Sequence, residues 1–191
     1  MDLGMKTPGS KSHASLLKKL NVMPGQHGTR TRRKVSESGR QLREKQKLRY
    51  MIGITEKQLS KYFVEAKAKP GNTAIYLSEY LERRLDNVLY RLGFAPTRAA
   101  ARQLITHKHI KVNDRVLNVP SYEMRVGDVV TFAKEKTMKL PPIEQALAKK
   151  DQIIPAWLER KGTAGKLIGT PTAELLEAQI NLRLVIEFYS R

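Results

Sequence analysis

The sequence predicts an α+β fold, in which a mainly helical domain is interrupted by a small module of two helices and a short, twisted antiparallel sheet. Three observations predict it. Leu77, Leu81, Leu85, Val88, Leu89 and Leu92 recur at helical spacing. From Ile110 onward, apolar and polar residues alternate between turn pairs. Helix signals then resume at Pro141 and Pro142, so residues 36–80 and 133–191 are expected to form one mainly helical domain around a module at 81–132.

Residues 1–35 mix Gly, Pro, Ser and basic side chains without apolar periodicity, and read as extended chain until a partner orders them. A helix is expected from Ser38 to Tyr50, with Arg40, Arg43 and Lys47 on one stripe. Thr55 and Gln58 have the spacing of a capping box for a helix whose Leu59, Tyr62, Phe63 and Ala66 form a core stripe. Lys69 to Asn72 turn the chain into the next helix, which starts near Thr73 and runs into the module as far as Gly93. That helix is expected to carry Arg83, Arg84, Asn87 and Arg91 on or beside the face opposite its leucines. Thr97 can cap a second module helix, with Ala100, Ala101, Leu104 and Ile105 inward and Arg98 and Arg102 one turn apart on a shared face.

Ile110 and Val112 flank Lys111 in a short strand, Asn113 and Asp114 supply a turn into Val116 to Val119, and Gly127 and Asp128 turn into Val129 to Phe132. Beyond the module, Thr172 to Ala178 reads as a helix. Leu182, Leu184, Ile186 and Phe188 alternate as a half-buried strand. Trp157 reads as a core or docking residue.

The 191 residues, 40% of them hydrophobic, suffice for a core. Thirty-six Lys and Arg against 18 Asp and Glu give a formal charge of +18, which opposes compaction and points to a polyanion, nucleic acid above all. Residues 1–50 carry +10 of it and residues 81–132 only +4, so the module must bind by placement of charge and the N-terminal quarter by its density. With no Cys there is neither a disulfide framework nor a thiolate zinc site, and His107 and His109 are too few ligands for zinc. No apolar run spans a bilayer, and the first 20 residues lack the Arg of a transit peptide, so a soluble, cytoplasmic protein is expected, with no membrane, cofactor or obligate homo-oligomer. Pro24, Gly25 and Gly28 can bend around a phosphate, with Gln26 and His27 as donors, or make an ordinary turn; chemistry alone leaves both open.

The runs LERRLDNVLYRLGF, TRAAARQLITH, VN, NVPSY and GDVV resemble the RNA-binding module named after small-subunit ribosomal protein four. MPGQHG, RRKVSESGRQLREKQKLRYMIG and the terminal VIEFYSR extend the resemblance to the bacterial-type family of that ribosomal protein, from Pro24 to Arg191. Two departures stand out. The wider module family often has Gly where this chain has Lys108 and Asp114, and many relatives begin with a longer, sometimes cysteine-bearing segment.

The resemblance implies a non-enzymatic constituent of the small ribosomal subunit. Such proteins bind early in assembly at a multi-helix junction in the 5′ domain of small-subunit rRNA. They contact ribosomal protein five near the mRNA entry site and affect decoding accuracy. It favours RNA contact for Gln26 and His27; the stripe Arg40, Arg43 and Lys47 reads as RNA-facing from its sparse acidic partners, and phosphate contacts from Arg30, Arg32, Arg33 and Lys34 can offset the cost of ordering the N-terminal segment. In the module it implies RNA contact for Arg83, Arg84, Asn87, Arg91, Thr97, Arg98, Arg102, Gln103, His107, Lys108 and Lys111. The alternative is an RNA-modifying enzyme subunit, because Arg84-Leu85-Asp86 resembles the active-site run of pseudouridine synthases, some of which carry this module. Asp86 within an amphipathic helix beside two arginines reads instead as a helical or surface ion pair, and a second domain of ~200 residues has no room.

Overall fold

The computed structural model describes residues 35–148, 154–173, 176 and 180–190. Helix α1 (Glu37–Ile52) starts at Ser36, whose side chain accepts from the Gly39 N–H, and stops at Gly53, whose φ of 76° places it in the left-handed region. Helix α2 (Glu56–Ala68) has the expected Thr55–Gln58 capping box, with both reciprocal bonds present. Asn72 caps α3 (Thr73–Glu82).

The single helix expected to run from Thr73 into the module is broken at Arg83 and Arg84, and resumes as α4 (Leu85–Arg91). The cause is the segment 120–124, which crosses the break. Leu85 N–H donates to Tyr122 O (2.9 Å), Asp86 N–H to Pro120 O (3.2 Å), and Met124 N–H to Arg83 O (2.9 Å). Backbone groups freed by the break therefore find partners outside the helix, which removes the cost of interrupting it. Leucine spacing continues in phase across the break, although Leu77 and Leu81 enter one core and Leu85, Val88 and Leu89 the other, and the sequence alone reads as one rod.

Helix α5 (Arg98–Thr106) begins at Thr97, whose hydroxyl accepts from Ala100 N–H. Strands β1 (Ile110–Val112), β2 (Arg115–Leu117) and β3 (Val129–Phe132) follow. Asn113 and Asp114, at φ 48° and 66°, make the tight hairpin turn between the first two. Lys108, at φ 60°, is also left-handed. Both positions at which the wider family often carries Gly thus use backbone geometry that glycine adopts freely. Two short helices, α6 (Glu135–Met138) and α7 (Pro141–Ala148), lead to the hairpin β4 (Leu158–Lys161) and β5 (Ala164–Leu167), and α8 (Leu182–Tyr189) ends the described chain. The antiparallel sheet runs β2-β1-β3-β5-β4.

The fold is α+β as expected, with three corrections to its parts. The β4–β5 hairpin has no counterpart among the expected elements. It extends the module's sheet, and Ile143, Trp157, Leu158 and Leu167 lie in one core with Leu89, Phe94, Ile105 and Val130. Residues 133–191 are therefore not all helical-domain residues: among the described residues, Ile143, Trp157, Leu158 and Leu167 pack with the module, whereas Leu176, Ile180, Leu182, Val185, Ile186 and Tyr189 join Leu48, Leu59, Leu77 and Leu81 in the second core.

Residues 182–188 form helix α8 rather than a strand. Leu182 and Val185, three apart, are buried against α1, and Asn181 caps the helix by accepting from Leu184 N–H (3.3 Å). Apolar residues fill nearly every position here, so period two and period 3.6 fit equally until packing decides. The helix expected at 172–178 lies mostly outside the described residues.

Candidate RNA-binding surface

The break between α3 and α4 brings four charged residues, Glu82, Arg83, Arg84 and Asp86, to the seam between the two cores. Two carboxylates organise this seam. Glu82 is fully buried; its carboxylate accepts from Arg91 Nη2 (2.6 Å) and Nε (3.1 Å) and from Asn87 Nδ2 (2.5 Å). Asn87, also fully buried, passes the constraint on, since its Oδ1 accepts from Arg98 Nε (2.7 Å). The Arg98 guanidinium then lies over the Tyr90 ring, 4.4 Å from its centre.

Asp86, 1% exposed, takes a bidentate pair from Arg84 (Nε 3.1 Å, Nη2 2.8 Å) and two more bonds from Arg102 (Nε 3.2 Å, Nη2 2.9 Å). Arg84 continues to the Tyr62 hydroxyl on α2 (2.8 Å), and Arg102 to the carbonyls of Gly53 (2.7 Å) and Ile52 (3.2 Å) at the end of α1. Ion pairs this deep avoid the cost of lone buried charge only because each group is paired and hydrogen-bonded.

These contacts sort the expected module residues into three groups. Arg84 and Asn87 are buried and hold the structure together, so neither lies on an outer helix face as expected. The helix break turns both inward. Arg83 and Arg102 are partly exposed but mostly committed: Arg83 bonds Met124 O (2.8 Å) and Glu79 (2.9 Å), and Arg102 clamps α5 to α1. Arg91 and Arg98 are held at the partly exposed rim with their directions fixed. Burial, and then the nearby positive charge of Arg91, push the Arg98 guanidinium below its ordinary value.

Thr97 is engaged as the α5 cap. Gln103, His107 and Lys108 are exposed on and after the last turn of α5, and Lys111 is half-buried on β1. His109 Nδ1 sits 3.0 Å from Thr137 Oγ1. On α1, Arg40 and Arg43 are exposed and Lys47 half-buried, while Gln41, Lys45, Leu48 and Ile52 form the inward face. The basic stripe therefore does point away from the core. Gln26, His27, Arg30, Arg32, Arg33 and Lys34 lie outside the described residues.

Sequence reasoning missed the organising role of Glu82 and treated Asp86 as a helical or surface pair. A signal was present: four charged residues in 82–86, adjoining the stripe positions Leu81 and Leu85, cannot all face water on a helix that buries those leucines. It also missed Arg160, whose Nη1 and Nη2 donate to the carbonyls of Leu92 (3.0 Å) and Leu147 (3.2 Å), and Lys45, buried against Glu56 (2.7 Å). The double bonding of Asp86 gives it a structural task, unlike the carboxylate that an RNA-isomerising enzyme would need open to its substrate.

The structure thus joins a helical unit to a small two-helix, antiparallel module with arginines fixed along the seam between them. The S4 domain family matches residues 83–130, and the Ribosomal protein S4/S9 N-terminal domain family matches residues 2–82. The chain is 45% identical over 196 residues to small ribosomal subunit protein uS4 of Aquifex aeolicus, covering 98% of this chain and 92% of that one. It is 49% identical over 177 residues to uS4 of Francisella tularensis subsp. holarctica (91% and 84% covered), and 46% over 181 residues to that of Roseiflexus castenholzii (92% and 88%). The chain belongs to the uS4 family of small-ribosomal-subunit proteins, in its bacterial form.

Proposed function

We propose that this chain is a structural constituent of the small ribosomal subunit that binds a multi-helix junction in the 5′ domain of its rRNA early in assembly, without turnover. The observation that carries the reading is the seam between the cores, where Arg91 and Arg98 are aimed by Glu82 and Asn87 on a chain of net charge +18. A junction crowds phosphates from several helices together, and fixed guanidiniums offset that repulsion for one arrangement of the helices and not for others. Recognition is then of backbone shape, with few contacts to base edges.

The exposed Arg40 and Arg43 of α1 widen the contact, and the N-terminal segment with Gln26, His27, Arg30, Arg32, Arg33 and Lys34 adds charge density. The same reading puts the protein beside ribosomal protein five near the mRNA entry site, where its hold on the rRNA affects decoding accuracy.

Filter binding to a 5′-domain junction fragment across a salt series tests the proposal. Each phosphate contact should contribute ~0.7 to 0.9 log units of affinity per log unit of salt, and a slope equivalent to several contacts is expected. A slope of one or two contacts, or equal affinity for duplex DNA at every salt concentration, would overturn it.

A further inference from the structure

Glu82 is a negative charge with no exposure, set in the middle of a surface proposed to bind a polyanion. On charge alone it should weaken RNA binding and be better replaced by a neutral residue. Its contacts indicate otherwise. Arg91 meets it through two nitrogens, and Asn87, whose amide nitrogen it holds, presents its own oxygen to Arg98 Nε. One carboxylate thus sets two guanidiniums, one directly and one through an amide whose flip state it determines: with Nδ2 turned to Glu82, Oδ1 must face Arg98.

We propose that Glu82 is a positioning residue for RNA selectivity, fixing the spacing and tilt of Arg91 and Arg98 so that they grip adjacent backbone phosphates only where a folded junction brings them to that spacing. This rests on the function proposed above. The ligand class is paired phosphates of structured RNA, and the gain is in discrimination: a freely rotating arginine meets any phosphate, whereas a fixed pair meets one geometry without the entropy cost of ordering two long side chains.

The sign of one measurement separates this from plain electrostatics. Glu82→Gln keeps the shape but turns an amide –NH2 towards donors, so the guanidinium pair loses its anchor while the chain gains a unit of net positive charge. Affinity for the 5′-domain junction fragment should fall about tenfold, the scale of one lost charge-assisted hydrogen bond. Affinity for an unstructured polyuridine control should stay level or rise. Glu79→Gln makes the same charge change three residues earlier, at the partner of Arg83, and should lower neither affinity.

All measurements are made where the variant's circular dichroism matches that of the unmutated protein. If Glu82→Gln does not fold, Arg98→Lys, which keeps the charge but loses the planar fork held by Asn87, is expected to give the same selective loss. Unchanged or tighter junction binding by whichever variant folds overturns the positioning role. No preference for the junction over polyuridine in the unmutated protein would instead overturn the function on which this inference rests.

Discussion

Arg102 is expected to matter more for joining the two cores than for touching RNA, and Arg102→Met tests this while keeping most of the stem's volume. The substitution removes four hydrogen bonds: two to Asp86 and one each to the carbonyls of Gly53 and Ile52. Breaking a buried pair by deleting one partner costs ~3 to 5 kcal/mol when the other charge is stranded. Two features reduce that here. Asp86 keeps its bidentate bond to Arg84, and the Arg102 side chain is 32% exposed, so water screens part of its charge.

A loss of about 2 to 3 kcal/mol remains, or ~5 to 10 °C in Tm for a chain of this length. The assay uses the single Trp, Trp157, which lies in the module core, alongside far-UV circular dichroism, which weights the helices of the other core. In urea the two signals should coincide for the unmutated protein and separate for the variant, because the clamp between α1 and α5 is gone. Coincident transitions with a midpoint unchanged within ~0.5 kcal/mol would show that the α4 packing alone couples the cores and that Arg102 is no clamp.

Two further outcomes are expected from the packing. Burial of the Glu56 carboxyl works to raise its pKa, but bonds from Lys45 (2.7 Å) and the Tyr189 hydroxyl (2.7 Å) outweigh it and hold the group below its ordinary value near 4.5. Its folded value is thus below the unfolded one, so its contribution is complete above the unfolded value and is lost as pH falls through the folded one. Glu56→Gln should flatten the fall of Tm as pH drops below the ordinary carboxyl value near 4.5, and an unchanged acid limb would contradict this. Gly165→Ala would push a Cβ onto the Leu92 side chain, 3.2 Å from its Cγ and closer to its methyls, where β5 crosses the α4 end. A loss of ~1 to 3 kcal/mol in urea unfolding is expected, and a neutral result would show that β5 can move off Leu92.

Local signals in this sequence are legible where a single short-range interaction decides the structure. The Thr55–Gln58 box and the Thr97 cap are set by side chains within three residues of the backbone they satisfy, the Asn113–Asp114 turn by two adjacent residues that tolerate positive φ, and each stands in its expected place. Legibility ends where the deciding partner is remote in sequence. Segment 120–124 breaks the helix at Arg83, about 40 residues away, and α1 selects the helical period of 182–189 from two that fit. The β4–β5 hairpin belongs to the module's sheet because β5 pairs with β3, a fact that no local pattern in either strand records.

The site divides along the same line. A sequence shows that arginines are abundant, and helical spacing suggests which of them are neighbours, but it does not show which arginines a carboxylate has already claimed. Arg84 and Arg98 look alike on a helical projection, since both adjoin an apolar stripe. The difference comes from the buried acceptors: Asp86 takes Arg84 through two nitrogens and pulls it to the seam, whereas Asn87 holds Arg98 by Nε and Tyr90 supports its plane. One arginine is consumed in joining the cores and the other is aimed. A protein with a large charge surplus can bind RNA almost anywhere on its surface. On the proposed function, selecting one fold of RNA requires that some of that charge be immobilised, and here the immobilising chain starts at Glu82, which holds Arg91 directly and Arg98 through Asn87 and which a charge count alone would score as unfavourable.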